Sequence, residues 1–447
     1  MHVLQQLLFI IALGLAGNLI LRRAILIRDT IRLGRAEKLT DQPGTRFKTM
    51  MRIAFAQKKM FDRPLAGILH FVVYAGFILI NIEVLEIVLD GLFGTHRMFA
   101  PHLGSFYTFL IGFYELLAIG VILACIAFLF RRNDRVPRLT PVLHRELRGW
   151  PALDGKLILT FEIILMLAVL FMNAADLALQ RQEHFAYPQT GNFIISGTLA
   201  NFIDSWDTTP LLILERFAWW VHILGILAFA VYITYSKHLH ILLAFPNTYF
   251  TPLRPRGKME NMPEITKEVK IMLGLEQDSG STSPTEIGRF GAKDVTDLSW
   301  KNLLDAYSCT ECGRCTSVCP ANLTGKLLSP RKIMMDTRDR LEELGENIRI
   351  NGKHIKEDGK SLLGDYILEE EILACTTCNA CVEACPILIN PLDIILQLRR
   401  YKIMDEAKAP GSWNMMFQNL ETNQAPWKFA PSDRFNWAND LNKDDDQ

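Results

Sequence analysis

The chain has 447 residues and a balanced charge, 48 basic against 48 acidic side chains. No basic surplus points to a nucleic-acid partner, and the length suggests more than one domain. No phosphate-binding glycine pattern, Ser-His-Asp set or nucleotide-binding βαβ unit is evident, so no catalytic residue is expected.

Charge is sparse in the apolar stretches of the first 245 residues and dense afterwards. Five stretches reach the ~20 residues that a membrane-crossing helix needs. They run Leu4–Leu21, Leu65–Leu89, Phe106–Phe130, Leu157–Leu179 and Leu211–Tyr235. The first lacks a basic leader and a small-residue cleavage site, so it is read as a retained span rather than a signal peptide. Residues 22–63 carry twelve Lys/Arg and residues 131–156 carry seven, whereas the loop after span two has only Arg97 and the loop after span four only Arg181. The positive-inside rule then puts the N-terminus outside and everything after span five in the cytoplasm.

Histidines mark these spans. His70 lies about 9 Å along span two from Pro64, near its inner end. His222 lies in span five and His238 and His240 at its inner end. On one continuous helix, His222 and His240 would share a face about 27 Å apart, with His238 turned about 160° from His240. Co-facial histidines near opposite leaflets suit stacked b-type haems, each clamped by imidazoles from two helices; an interhelical hydrogen bond is the alternative for each. The inner pair is His70 with His240 or His238, whereas His222 has no evident partner. Glu83, Glu86 and Glu115 are candidates for proton exchange with a quinone. The alternative for Glu83, Glu86 and Glu215 is a position at the membrane interface; Glu115 and Glu162 sit deeper.

Residues 246–296 read as a proline- and glycine-broken connector with one helix near Glu264–Leu273. Helices are expected over 297–307, Pro330–Leu344, Gly364–Leu373 and Ile394–Met404, within a ferredoxin domain at 297–405. Residues 406–447 form an extension for docking a partner or without fixed structure, acidic from Asp440. The whole is expected to be all-α: a five-span bundle of cytochrome b type over residues 1–245, then a helical ferredoxin domain.

Eight of the nine cysteines form two runs, Cys309-Cys312-Cys315-Cys319-Pro320 and Cys375-Cys378-Cys381-Cys385-Pro386. Cys125, the ninth, is assigned to packing. Each run reads C-x2-C-x2-C-x3-C-P, the spacing that holds [4Fe–4S] clusters, with the fourth cysteine of each run ligating the other cluster. This assigns Cys309, Cys312, Cys315 and Cys385 to one cluster and Cys375, Cys378, Cys381 and Cys319 to the second. Structural zinc uses two C-x2-C pairs with a longer gap and fits less well. Such thiolates need a reducing compartment, which agrees with the cytoplasmic side reached from the loop charges. Arg314, Lys326 and Arg331, between the runs, are either solvated charges or groups that raise cluster potentials.

Through Cys309-Thr-Glu-Cys-Gly-Arg-Cys315, Cys319-Pro-Ala-Asn-Leu-Thr-Gly-Lys-Leu-Leu-Ser-Pro330 and Trp427–Trp437, the soluble half is similar to electron-transfer-flavoprotein:menaquinone oxidoreductases, the iron–sulfur subunit of anaerobic glycerol-3-phosphate dehydrogenase and heterodisulfide reductase. The membrane half resembles the gamma subunit of respiratory nitrate reductase, a dihaem quinol-oxidising cytochrome b. Its paired histidines in the fifth span match His222 and His240. Of the two in its second span, the first matches His70 and the other falls on Ile80. The chain as a whole thus resembles the fused membrane and iron–sulfur subunits of heterodisulfide-reductase-like complexes. The resemblance implies two [4Fe–4S] clusters, one or two haem b, menaquinone or ubiquinone as substrate, and a bacterial or archaeal inner-membrane location. It also implies a partner subunit bearing cysteine-rich CCG domains, and an electron transfer flavoprotein or another cytoplasmic dehydrogenase as donor. A haem-free anchor that docks a soluble redox enzyme is the alternative. A redox sensor lacks a visible output domain, and an ion pump would show repeats or broken half-helices.

Overall fold

Five helices are long and apolar enough to cross a bilayer: α1 (Val3–Ile31), α2 (Pro64–Phe93), α3 (Ser105–Arg131), α4 (Trp150–Arg181) and α5 (Thr208–Ile233). This computed structural model describes residues 3–132, 145–255, 257–277, 289–352 and 355–441, and among them all regular structure is helical. Local chemistry sets the helix ends. Pro64 opens α2 where its missing N–H is no loss. Gly94, at φ +73°, closes it by donating its N–H to the Asp90 carbonyl at 2.8 Å. Helix α4 is the centre of the bundle, with 61% of its apolar window buried against 11% for α1. It packs against α3 and α5, and α1 lies at the edge.

Span five does not continue to His240. Helix α5 ends at Ile233, Ser236 is extended (φ −116°, ψ 158°), and a single 3-10 turn, Lys237–Leu239, leads into α6 (His240–Tyr249). The break has a tertiary cause. The Asp154 carboxylate on α4 accepts from Ser236 Oγ at 2.7 Å and from Lys237 N at 3.3 Å, and Tyr232 also donates to it. Ser236 Oγ accepts from His238 N at 3.1 Å, capping the new turn. The expectation of five unbroken turns between His222 and His240 is therefore corrected. Helix α6 also runs across the expected connector boundary at residue 245, carrying Pro246 within it.

The soluble half is built on α7 (Trp300–Ser308), α8 (Pro330–Asn351) and α9 (Pro391–Arg400). Each begins with a side-chain cap: Ser299 with Asn302, Ser329 with Lys332 N, and Asn390 with Asp393 N. Leu303, Ile333, Leu341, Leu362, Ile367, Ile372, Ile394 and Leu398 are fully enclosed among them. The helix expected over Gly364–Leu373 shrinks to Glu369–Leu373, because Gly364 at φ +106° turns the chain sharply before it. Helix α10 (Gly411–Asn423) in the C-terminal extension buries no side chain. The acidic tail lies largely outside the described residues, from residue 442.

Lys332 on α8 faces both Asp336 (2.5 Å) and Glu371 (3.0 Å). Burial pushes the Asp336 carboxyl up to about 7, with the Lys332 hydrogen bond opposing. The fold then keeps a proton that the unfolded chain releases near ~3.9. This group's contribution to stability is thus greatest at low pH and declines as pH rises through about 7. Thermal unfolding followed by circular dichroism is expected to show that decline in the native chain and to lose it in Asp336→Asn. Parallel pH profiles for the two proteins would refute the assignment.

The two halves are locked together at one end of the bundle. Helix α1 runs past its expected end at Leu21 to Ile31, and its last turns pack on the soluble half. Arg23 pairs with Glu342 at 2.6 Å, and Thr30 Oγ1 meets Tyr307 OH at 3.0 Å. Gly345 permits this approach, since a Cβ there would stand 2.8 Å from Thr30 Cγ2. Residues from all three segments read as cytoplasmic touch the cysteine-bearing half: Arg63 donates to Ser317 Oγ (2.6 Å), Glu146 pairs with Arg331 (3.0 Å), and Lys237 pairs with Glu311 (2.7 Å).

Candidate redox centres

Both cysteine runs adopt the same local path. In the first, Glu311 and Gly313 have φ +56° and +75°; in the second, Thr377 and Asn379 have φ +58° and +61°. Left-handed residues at these two places turn successive sulfurs inward. Cys319 then approaches Cys375, Cys378 and Cys381 around one cavity, walled by Pro320, Leu328, Leu392 and Ile395. Cys385 acts electrostatically on Cys315, with Cys309 and Cys312 beside it. One cysteine of the first run, Cys319, thus lines a cavity with three of the second, and Cys385 of the second run influences Cys315 of the first. Among the described residues no three His, Cys, Asp or Glu side chains close on a single metal-ion position. Burial pushes the Cys309, Cys381 and Cys385 thiols up to about 12, so loading these sites with metal releases protons. Backbone N–H groups reach two sulfurs, Thr377 N to Cys375 at 3.4 Å and Ile389 N to Cys385 at 3.2 Å.

Arg314 and Arg331 are not solvated. Arg314 donates to the carbonyls of Lys59 (2.8 Å) and Met60 (3.0 Å), in the turn before α2. Only Lys326 of the three is exposed.

Beneath the first run stand three imidazoles. His70 and His240 have ring centroids 6.4 Å apart, and His238 lies 5.4 Å from His240. The helix break makes this grouping, and it removes the angular argument against His238. His70 Nδ1 is bonded to Gln57 Oε1 at 3.1 Å, and His240 Nδ1 to the Lys237 carbonyl at 3.1 Å. With Nδ1 so engaged, Nε2 is the ring nitrogen that remains for a metal, as in a metal-ligating histidine whose tautomer is set by its neighbour. Burial pushes the His240 and His238 imidazoles down, His238 to about 3, so both are neutral, the ligating form. His222 is 1% exposed, its Nδ1 is on the Leu165 carbonyl at 2.9 Å, and its Nε2 has no hydrogen-bond partner among the described residues. His2, His144 and His354, given no role, lie outside the described residues.

The interface reading of Glu83, Glu86 and Glu215 is corrected: all are buried inside the protein, at 3%, 2% and 0% exposed. They are held by groups that the sequence reading left out. Arg97 reaches Asp176 (2.8 Å), Asn173 (2.5 Å), Tyr107 OH (3.1 Å) and Glu83 (3.6 Å). Tyr107 donates to Glu86 at 2.7 Å, and Glu115 accepts from Ile195 N (2.8 Å) and Ser196 N (3.1 Å). Tyr187 donates to Glu215 at 2.9 Å. Glu162 is buried on α4. His96 Nε2 is engaged by Asp176 at 3.2 Å. The available signal was Arg97 itself, the one cation in a loop flanked by acidic spans.

Residues 308–389 match the family described as 4Fe-4S dicluster domain. The second half of this chain carries an iron–sulfur domain. Over the whole chain it is similar to the probable iron-sulfur-binding oxidoreductase FadF of Bacillus subtilis, with 29% identity across 92% of this chain and 57% of that protein. It is also similar to the EtfAB:quinone oxidoreductase of Syntrophomonas wolfei, with 27% identity across 90% of this chain and 55% of that protein. A shorter match joins it to one subunit of a ferredoxin/F(420)H(2)-dependent CoB-CoM heterodisulfide reductase from Methanosarcina acetivorans, 33% identical over 24% of this chain and 52% of that protein. The chain spans a little over half the length of the first two relatives, and no solved structure matches it.

Proposed function

We propose that this chain is the electron-transferring membrane subunit of a quinone-linked oxidoreductase. One [4Fe–4S] cluster is held by Cys309, Cys312, Cys315 and Cys385 and the other by Cys375, Cys378, Cys381 and Cys319, in a domain on the cytoplasmic side with the N-terminus outside. The similarity to iron–sulfur oxidoreductases supports this use of the clusters. The observation that carries the link into the membrane is the His70–His240 pair. The two ring centroids lie 6.4 Å apart, the planes tilted by 44°, with both Nδ1 atoms bonded away. That gap takes one metal with imidazole bonds of ~2.0–2.1 Å on each side. The unpartnered Nε2 of His222 suits a second such site in the outer half.

A haem b held there would supply one-electron exchange between iron–sulfur and quinone chemistry. His70 and His240 would hold it at the inner position, with His238 beside them, and His222 would serve the outer position. Glu83, Glu86 and Glu115, bridged by Asn173 and Tyr107, hold and pass protons for a quinone near the outer face. Electrons enter from an electron transfer flavoprotein, another cytoplasmic dehydrogenase or a CCG-domain iron–sulfur subunit, and the favoured direction is quinone reduction. Domain limits of 1–245, 246–296, 297–405 and 406–447 describe this division of labour.

Pyridine-haemochrome spectra, iron and acid-labile sulfide of anaerobically purified protein test the reading. Two cubane clusters and at least one haem b per chain are expected, the haem being reduced when membranes receive quinol. Clusters without haem would leave the membrane anchor of the alternative, and absence of both would end the proposal.

A further inference from the structure

Lys237 belongs to both halves of the molecule. Its main-chain carbonyl accepts from His240 Nδ1 at 3.1 Å. The residue is 8% exposed, and its ammonium lies 2.7 Å from Glu311, 2.6 Å from the Pro151 carbonyl and 3.7 Å from Asp154. Glu311 sits between Cys309 and Cys312, is itself 6% exposed, and its second oxygen takes Arg338 at 2.6 Å. The cysteine turn does not call for a carboxylate: the second run follows the same path with Thr377 in the matching left-handed position. A glutamate there adds a buried charge, offset by the two cations that it joins.

We propose that Lys237 is a positioning residue, clamped by Glu311 so that the turn carrying His240 is held in register with the first cysteine run. This rests on the haem reading and adds to it a mechanical tie between the two redox centres. His70 is tied in parallel, since Arg314 of the same run grips the Lys59–Met60 turn two residues beyond Gln57.

The test uses the full chain in detergent, with Lys237→Met, Glu311→Gln, the double variant and Lys237→Arg. Low-spin haem electron paramagnetic resonance reads the ring orientation, and a redox titration reads the haem midpoint. The two single changes remove charges of opposite sign, so a purely electrostatic influence moves the midpoint in opposite directions. A positional role changes the haem g-anisotropy in the same sense in both. It also makes the double variant no worse than either single one, because both cut one link, and Lys237→Arg restores the native signal. A native haem signal in Glu311→Gln, or opposite shifts that add in the double variant, would overturn the proposal. Should Lys237→Met not accumulate, Glu311→Gln and Lys237→Arg still decide it. Wild-type protein without haem would overturn the functional reading and this inference together; haem present but unmoved by the variants overturns only the latter.

Discussion

Cys385→Ser is expected to remove the cluster of the first cysteine run and to spare that of its own run. Iron should fall from about eight to about four atoms per chain, and the surviving signal should match that of Cys309→Ser. Cys319→Ser should instead resemble Cys375→Ser. The reasoning is geometric. Cys319 shares a cavity with Cys375, Cys378 and Cys381, while Cys385 and the first three cysteines of the first run influence one another electrostatically. On the proposed crossed ligation each cluster staples two segments far apart in the chain, and losing one loosens both runs. Iron analysis with resonance spectra of the reduced proteins distinguishes the outcomes. If Cys385→Ser resembled Cys375→Ser, each run would serve its own cluster and the crossed assignment would fail.

The second large effect concerns Arg97. It is 4% exposed, and its guanidinium lies against Asp176, Asn173, Tyr107 and Glu83, while its backbone N–H donates to Asp90 at 2.8 Å. Arg97→Met leaves several carboxylates enclosed with no cation among them. Removing one member of such a buried pair costs about 3–5 kcal/mol. Denaturant titration of the detergent-solubilised protein should show that loss, and Asp176→Asn placed in the same chain should recover part of it, since one stranded charge is then gone. A loss of under about 1 kcal/mol in Arg97→Met would mean that protons or water already neutralise the cluster, and the ion-pair account would be wrong.

The spans were legible because ~20 consecutive apolar residues have few other uses. Helix limits were less so. Span one was expected to stop at Leu21, where charge begins, yet α1 continues because Arg23 and Thr30 find Glu342 and Tyr307 on the other half. Glu83 and Glu215 looked like interfacial residues because hydropathy registers a carboxylate near a span end but not what faces it. Their partners, Arg97 and Tyr187, come from loops that a pattern along one helix does not contain.

The amino-acid sequence by itself determined the cofactor chemistry of the soluble half, since thiolate spacing and the turns between thiolates are local properties of a short peptide. It also determined the number of spans, since apolar length is read without reference to anything else. Only the tertiary structure decided how the histidines gather. His70, His238 and His240 meet because Asp154, on a different helix, draws Ser236 and Lys237 out of the α5 helix and starts α6 at His240. A carboxylate breaking a helix some eighty residues away leaves no trace in the local pattern, because the competing hydrogen bonds exist only once the two helices have packed.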